Sequence, residues 1–318
     1  MENNVKGKII KGVGGLYTVR LDADAEKTYG RTISCRARGA FRHDGITPLA
    51  GDNVLLQAST SEPSDNKSTE GGFVISEILE RRNSLIRPPL ANLDYIFITM
   101  ASAHPSPILT TVDKLISISE FNRIEPIIVI TKRDIDAGYA AELEEIYSRS
   151  GFKVFCVSST EGEGIDALKS FIDSNMDGKI AAFAGASGVG KSTLMNALFP
   201  HLELSTSEIS RKIERGRHTT RQVELFPMTE SADCGYIADT PGFSMLDFER
   251  FDFFELEDLP LTMREFDKYI GECRYTKCSH TKEEGCAIVE AVKRGDIPRS
   301  RHESFLEIYS TLKSKKKW

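Results

Sequence analysis

Residues 1–82 read as short runs in which apolar and polar positions alternate, as in KGKIIKGVGGLYTVRL and NVLLQAS, punctuated by Gly14-Gly15 and Gly51-Asp52. A period of two with turn residues between runs predicts short half-buried strands. Several such strands within about 80 residues suggest a small β-barrel of the OB-fold kind; periodicity alone does not separate it from an SH3-like barrel. The stretch Ser59 to Gly72, rich in Ser, Asp, Asn, Glu and Gly, reads as a mobile surface loop. Over residues 83–246 the pattern changes. Tyr95–Met100, Ile127–Ile130, Val154–Val157, Ile180–Ala184 and Gly235–Ala238 are near-continuous apolar runs. Helix-like segments such as Thr111 to Asn122 and Ala140 to Ser150 lie between them. Buried strands alternating with helices predict an α/β domain with a largely parallel sheet. Residues 247–318 look helical, from the acidic and aromatic DFERFDFFELEDL through a helix at Ala287 to Arg294 and a second helix that ends in the basic tail KSKKKW.

The 318 residues are 40% hydrophobic and 28% charged, with a formal net charge of −6. That balance is ordinary for a globular protein with a sizeable core. It excludes a strongly basic chain, so any nucleic-acid contact must use a local basic surface. The opening MENNVKGKII lacks the pattern of a secretory signal, and no run of about 18 apolar residues exists. A soluble, cytoplasmic protein is expected. Of six cysteines, Cys273, Cys278 and Cys286 crowd one segment beside His280. In a cytosolic setting that spacing suggests a metal site rather than a disulfide framework. Cys156, inside an apolar run, reads as plain core.

The segment Gly185-Ala186-Ser187-Gly188-Val189-Gly190-Lys191-Ser192, followed by Thr193, matches a phosphate loop, with a strand before it and a helix after it. Glycines let backbone N–H groups curl around phosphates, Lys191 brings charge to the β- and γ-phosphates, and Ser192 offers a hydroxyl to Mg²⁺. Asp239-Thr-Pro-Gly242 follows another strand. Asp239 is placed to serve Mg²⁺, and the Gly242 N–H to meet the γ-phosphate. Thr131-Lys132-Arg133-Asp134 follows the strand IIVI and fits a guanine-reading element. A carboxylate such as Asp134 accepts two hydrogen bonds from guanine, and adenine offers no such donor pair. Thr131 stands where Asn is commoner. Ser158 and Ser159 sit where a backbone N–H would meet guanine O6. In ordinary GTPases the phosphate loop precedes the guanine motif; here the guanine elements come first and DTPG comes last. Each motif still follows a strand, so all can gather at one carboxyl edge. The order resembles a circular permutation of the GTPase domain.

With those motifs in that order, the chain resembles the ribosome small subunit-dependent GTPase A family over nearly its whole length. The resemblance implies an N-terminal OB-fold, a permuted GTPase domain and a C-terminal helical zinc domain. It also implies hydrolysis of GTP to GDP and phosphate, binding to the small (30S) ribosomal subunit and 16S rRNA, a late role in subunit maturation, and a monomeric protein. The pattern Cys273-x4-Cys278-x-His280-x5-Cys286 offers three thiolates and an imidazole, a closed tetrahedral set suited to one structural Zn²⁺. Between phosphate loop and DTPG, the polar stretch Ser205 to Gln222 reads as a mobile switch loop. Thr219 and Thr220 both qualify as a Mg²⁺ ligand, and the resemblance favours Thr220. Arg211, Lys212, Arg215, Arg217 and Arg221 there offer charge to an RNA backbone or simply to solvent. Phe243 occupies the position where many GTPases carry a water-orienting Gln, which predicts slow intrinsic hydrolysis. His218 is the candidate to position water, its alternative being a loop contact to rRNA or solvent. The rival readings are a metabolic phosphate-loop ATPase or kinase, and a non-enzymatic RNA-binding module with a vestigial nucleotide site.

Overall fold

The computed structural model describes residues 4–43, 45–58, 72–202, 223–231, 234–239 and 253–315. The chain forms two compact units interleaved along the sequence: residues 1–94, 172–182 and 201–243 in one, and residues 95–171, 183–200 and 244–318 in the other.

In the first unit, β1 (Val5–Val13), β2 (Leu16–Leu21), β3 (Thr32–Ala37), β4 (Asn53–Ala58) and β5 (Phe73–Ile78) run in the order β1-β2-β3-β5-β4. A further β1–β4 pairing closes the circle, and the β3–β5 pair is parallel. This is a closed five-stranded barrel of the OB kind; the alternation predicts a small barrel, and the strand pairing gives its kind. Its inward residues include Ile9, Val19, Leu56 and Ile75, all fully buried. β1 must pair on both sides, and Gly7 permits it. A Cβ there would lie 2.5 Å from Val19 Cγ1 and 2.7 Å from the Arg20 carbonyl oxygen. A register shift between Ile9 and Lys11 then turns the strand. Two helices, α1 (Ala23–Tyr29) and α2 (Ala40–His43), connect barrel strands. The Gly51-Asp52 pair does more than punctuate. Gly51 has φ +91° and backs onto the Ala91 carbonyl, with room for no Cβ. The buried Asp52 carboxylate accepts two hydrogen bonds from Arg81, at 2.7 and 2.8 Å, and one from the Leu49 N–H. A small hairpin, β6 (Ser84–Leu85) with β7 (Leu90–Ala91), follows. The predicted loop Ser59 to Gly72 lies, except for Gly72, outside the described residues.

The first unit also contains most of β11 (Ile180–Ala184), together with β12 (Glu224–Pro227) and β13 (Tyr236–Asp239). β11 pairs parallel with β13, and β12 pairs antiparallel with β13. β12 also pairs with β1, where Lys11 faces Glu224 across a 2.6 Å ion pair.

In the second unit, β8 (Tyr95–Ala101), β9 (Glu125–Thr131) and β10 (Lys153–Cys156) are parallel, in the order β10-β9-β8. Nearly every residue of β8 and β9 is buried, which is why they read as continuous apolar runs. The connections carry α3 (Leu109–Phe121), α4 (Ala137–Arg149) and α5 (Ile165–Asn175). Phe97 stacks on Phe183 with ring centroids 4.8 Å apart, and meets Phe171 edge-on. α6 (Lys191–Leu198) follows the phosphate loop. The C-terminal segment contains α7 (Ala287–Arg294) and α8 (Arg299–Ser314). The helix expected in DFERFDFFELEDL does not form in its described part. Phe253 to Asp258 makes turns and passes into a short 3-10 helix at Leu259–Thr262. Pro260 cannot donate an N–H to a longer helix, and Phe254 is instead buried with its ring 5.5 Å from that of Phe121.

Candidate functional site: a phosphate loop against the Thr131–Asp134 turn

Three parallel strands and a fourth entering strand bring the motifs together. In register, Ala101 faces Thr131 and Ile130 faces Cys156, so β8, β9 and β10 finish at one edge. Thr131–Asp134 leaves β9 there and Ser158 leaves β10. β11 delivers Phe183 and Ala184 into this unit and then the phosphate loop. Gly185 has φ +147°, and a Cβ on it would lie 2.1 Å from the Thr99 carbonyl oxygen. The loop therefore starts with its backbone pressed against β8. Gly188 and Gly190 also have positive φ, at +79° and +95°. They supply the curl that side chains resist. α6 begins at Lys191, so its N-terminal N–H groups face the loop. Ala186, Ser187, Gly188 and Thr193 are exposed, Ser192 is half-buried, and Val189 is buried.

Lys191 folds back over the loop, its Nζ donating to the Gly185 and Ala186 carbonyls at 2.7 Å each. Burial lowers its pKa to about 8, because the loop supplies dipoles but no anion. A phosphate is the partner that would restore full charge.

The TKRD turn braces the same loop from the side. Thr131 is 2% exposed, and its hydroxyl lies 2.5 Å from the Val189 carbonyl oxygen and 3.1 Å from that of Met100. The Thr in place of Asn thus makes a loop contact. Lys132 has φ +59°, and its Nζ donates to the Gly188 carbonyl at 2.9 Å and to the carbonyl of His104. Arg133 points outward, 3.9 Å from Glu163, while its N–H bonds the Val157 carbonyl. Asp134 is exposed at the crest of the turn. Asp136 ends the turn by capping α4, accepting from the Tyr139 N–H at 2.9 Å. Ser158 is fully buried and its hydroxyl is used internally, toward Thr160 and the Glu161 N–H. Ser159 is half-buried beside it. Gly164, at φ +70°, keeps this second loop tight against the Cys156 carbonyl. Cys156 is half-buried rather than core, with its thiol 3.5 Å from Glu144 Oε2; burial first, then that carboxylate, pushes it up to about 12.

The sequence missed Ser102 and His104. Both follow β8 in a stretch without a recognisable motif, and both touch Lys132. Asp239 closes β13 one residue past Ala238, which pairs with Ala182 in β11. His218, Thr220 and Gly242 lie outside the described residues, as do Thr219, the basic residues of the switch stretch and Phe243.

The second cluster is in the C-terminal segment. The ligand atoms of Cys273, Cys278, His280 and Cys286 all lie within 4.8 Å of one another. Cys273 Sγ is 3.5 Å and Cys286 Sγ 3.7 Å from His280 Nδ1, and the two sulfurs are 3.9 Å apart. Tetrahedral zinc bonded at ordinary lengths requires edges of about 3.6 Å and about 3.8 Å for those pairs. The donor set fits. Burial raises the Cys278 thiol to about 12 and raises Cys286, so a cation must displace protons to bind. His280 sits at φ +59°. Its carbonyl accepts from His302 Nε2 at 2.9 Å, and the His302 ring stacks on Phe305. Glu283 gathers the Ser279, Thr281 and Lys282 N–H groups at 2.8–3.1 Å. Its burial alone would raise it, but the Ser279 hydroxyl and these N–H donors outweigh that and hold it at about 2. His302 and Glu283 had no spacing signal to betray them.

A family model described as RsgA GTPase matches residues 78–249, and one described as RsgA N-terminal domain matches residues 6–64. The chain belongs to the RsgA GTPase family. It is a GTPase, a hydrolase. The protein named small ribosomal subunit biogenesis GTPase RsgA from Caldanaerobacter subterraneus is 38% identical over 98% of this chain and 97% of its own. The one of that name from Bacillus pumilus is 40% identical over 98% of both. The crystal structure of YjeQ from Thermotoga maritima superposes with a TM-score of 0.78 at 30% identity, covering 98% of this chain and all of the other. That of YloQ, described as a circularly permuted GTPase, gives 0.74 at 33% identity over 99% and 97%. The permuted motif order is therefore a property of the fold, and the ATPase and vestigial-site readings fall away. Among the described residues no helix is long and apolar enough to cross a membrane.

Proposed function

We propose that this GTPase binds the small ribosomal subunit and its 16S rRNA, assists late maturation of that subunit, and hydrolyses GTP under its stimulation. The observation that carries the reading is the reach of the resemblance. Relatives named for small-subunit biogenesis match 98% of the chain, barrel and cysteine cluster included, at 38% and 40% identity. A barrel and a metal-bound module on one chain with a nucleotide site suit a protein that grips RNA according to nucleotide state.

In this reading Asp134 reads guanine N1–H and the 2-amino group, with Lys132 along the base. Ser159 brings its backbone N–H group to O6, while the Ser158 N–H holds the loop closed by donating to the Glu163 carbonyl at 2.9 Å. The N–H groups of Gly185 to Thr193 cradle the phosphates, and Lys191 neutralises the β- and γ-phosphates. Ser192, Thr220 and Asp239 are the residues that would hold Mg²⁺. When bound, the cation supplies charge neutralisation across the β- and γ-phosphates. The Gly242 N–H meets the γ-phosphate and His218 orients the attacking water. Phe243 has no hydrogen bond to give that water, so turnover without a partner is slow. Cys273, Cys278, His280 and Cys286 hold a structural zinc. The protein works as a cytoplasmic monomer.

The test is GTP turnover by the purified chain, alone, with isolated small subunits, and with large subunits. Strong stimulation by small subunits only, absent with ATP, is expected. Turnover indifferent to small subunits overturns the ribosomal part. Full stimulated turnover in His218→Ala removes His218 from the mechanism.

A further inference from the structure

The turn that carries Asp134 is strained at its first step. Lys132 adopts φ +59°, a conformation that an L-residue with a long side chain rarely holds unless its surroundings impose it. Two of the restraints come from a segment with no nucleotide motif, the chain just after β8. Ser102 is 2% exposed. Its N–H donates to the Thr131 carbonyl at 3.0 Å, and its hydroxyl donates to the Lys132 carbonyl at 2.8 Å, with the Thr131 carbonyl at 3.3 Å. Two residues on, the His104 carbonyl accepts from Lys132 Nζ. Lys132 is thus held at its carbonyl by Ser102 and at its ammonium by His104. The same carbonyl accepts the Ile135 N–H at 2.9 Å, which closes the turn around Arg133 and Asp134.

We propose that Ser102 is a positioning residue for guanine recognition: its buried hydroxyl fixes the Lys132 carbonyl, and so the turn that aims Asp134 at the base edge. The proposal rests on the reading of Asp134 as the guanine-selective carboxylate. Ser102 touches neither phosphate loop nor base in this role. It acts through the direction of one peptide plane. Without the hydroxyl, Lys132 retains the Ile135 bond but loses the donor that opposes relaxation toward ordinary φ. Asp134, two residues downstream, then loses its fixed direction. A carboxylate that makes two convergent hydrogen bonds is sensitive to such a swing, whereas phosphate binding is not. Gly185 to Thr193 keeps supports that do not pass through Lys132: the Thr131 hydroxyl on the Val189 carbonyl and Lys191 Nζ on the Gly185 and Ala186 carbonyls.

The discriminating measurement compares GDP with IDP, which keeps N1–H but lacks the 2-amino group. Dissociation constants are measured on the full chain for wild type, Ser102→Ala, Ser102→Thr and Asp134→Ala. Loss of one neutral hydrogen bond predicts GDP binding about five- to tenfold weaker in Ser102→Ala. IDP should weaken by much less, so the preference for GDP shrinks, and Ser102→Thr, which keeps the hydroxyl, should restore it. Should the added methyl of Ser102→Thr unfold the chain, Ser102→Gly serves as a second hydroxyl deletion and must reproduce the Ser102→Ala ratio. Equal weakening of both nucleotides, or no weakening, overturns the proposal. Asp134→Ala separates the two levels. If it abolishes the GDP preference while Ser102→Ala leaves it intact, Ser102 alone is misassigned. If it leaves the preference intact, the guanine reading of Asp134 falls and the role of Ser102 falls with it.

Discussion

Lys191 shows how far one side chain's chemistry is set by its surroundings. Nothing in GVGKS says that the ammonium is half-desolvated, yet burial among loop carbonyls lowers its pKa to about 8. The consequence has a sign. Below about pH 8 the lysine is already charged and meets a phosphate at no protonation cost. Above it, binding must draw a proton from solvent. The dissociation constant for GTP is therefore expected to rise between pH 8 and 9, by up to about tenfold per unit. Fluorescence titration with a labelled guanine nucleotide reads this directly, and Lys191→Arg, always charged, should flatten the slope. Gly185 sets a harder limit. Its missing Cβ is the space in which the Thr99 carbonyl sits, at 2.1 Å from where that carbon would be. Gly185→Ala must push β8 and the loop apart. A stability loss of about 1–3 kcal/mol is expected by calorimetry, together with loss of nucleotide binding. Retained binding with an unchanged unfolding midpoint would show that the loop gives way cheaply.

Among the elements, those stated by pattern or by fixed spacing were legible, and those made by tertiary contact were not. β11 spans Ile180–Ala184 and α7 spans Ala287–Arg294, the ranges their apolar runs and periodicity predict. The C-terminal cluster was readable because three thiols and an imidazole at short spacing have few other reasons to coincide. Its supports come from elsewhere: His302 sits a helix away in α8, and Glu283 is one more acidic residue in an acidic stretch. From Asp267 to Cys286 this segment contains turns and no α-helix, so the metal is expected to supply much of its folding free energy. Chelation at neutral pH should abolish the lowest-temperature calorimetric transition and expose Cys273, Cys278 and Cys286 to a thiol reagent. Added zinc should restore protection. Thiols that stay protected after the metal is gone would mean that the segment folds by packing alone. β12, by contrast, is a four-residue strand that ELFP does not announce. It exists because β13 and β1 each leave an edge for it, a property of neighbours rather than of its own residues.

On the scale of the molecule, chain order and spatial order have been separated. The strand that launches the phosphate loop lies mostly in one compact unit, while the loop lies in the other, its Val189 bonded to Thr131, 58 positions earlier. Contacts distant in sequence must then hold each unit, and in the second unit a fully buried one is ionic. Arg301 in α8 is fully buried, donating to Asp113 of α3 and to Glu265 at 2.7 Å, with its guanidinium over the rings of Tyr147 and Phe152. Tyr147 in turn donates to Asp113 at 3.1 Å. Burial alone would depress the guanidinium's pKa, but Asp113 and Glu265 outweigh it and hold Arg301 charged at any working pH. Such a cluster is a weak source of net stability when whole and a large liability when broken, because each remaining charge has been stripped of water. Arg301→Met leaves two carboxylates buried without their cation. A loss of about 3–5 kcal/mol is expected, which for a unit of this size lowers its thermal midpoint by about 10 °C. Adding Asp113→Asn and Glu265→Gln to that variant removes the orphaned charges and should recover much of the loss, since a buried neutral amide costs far less than a buried unpaired carboxylate. If the triple variant is no more stable than Arg301→Met, the cost lies in lost packing around Tyr147 and Phe152, and α8 is held to α3 by shape rather than by charge.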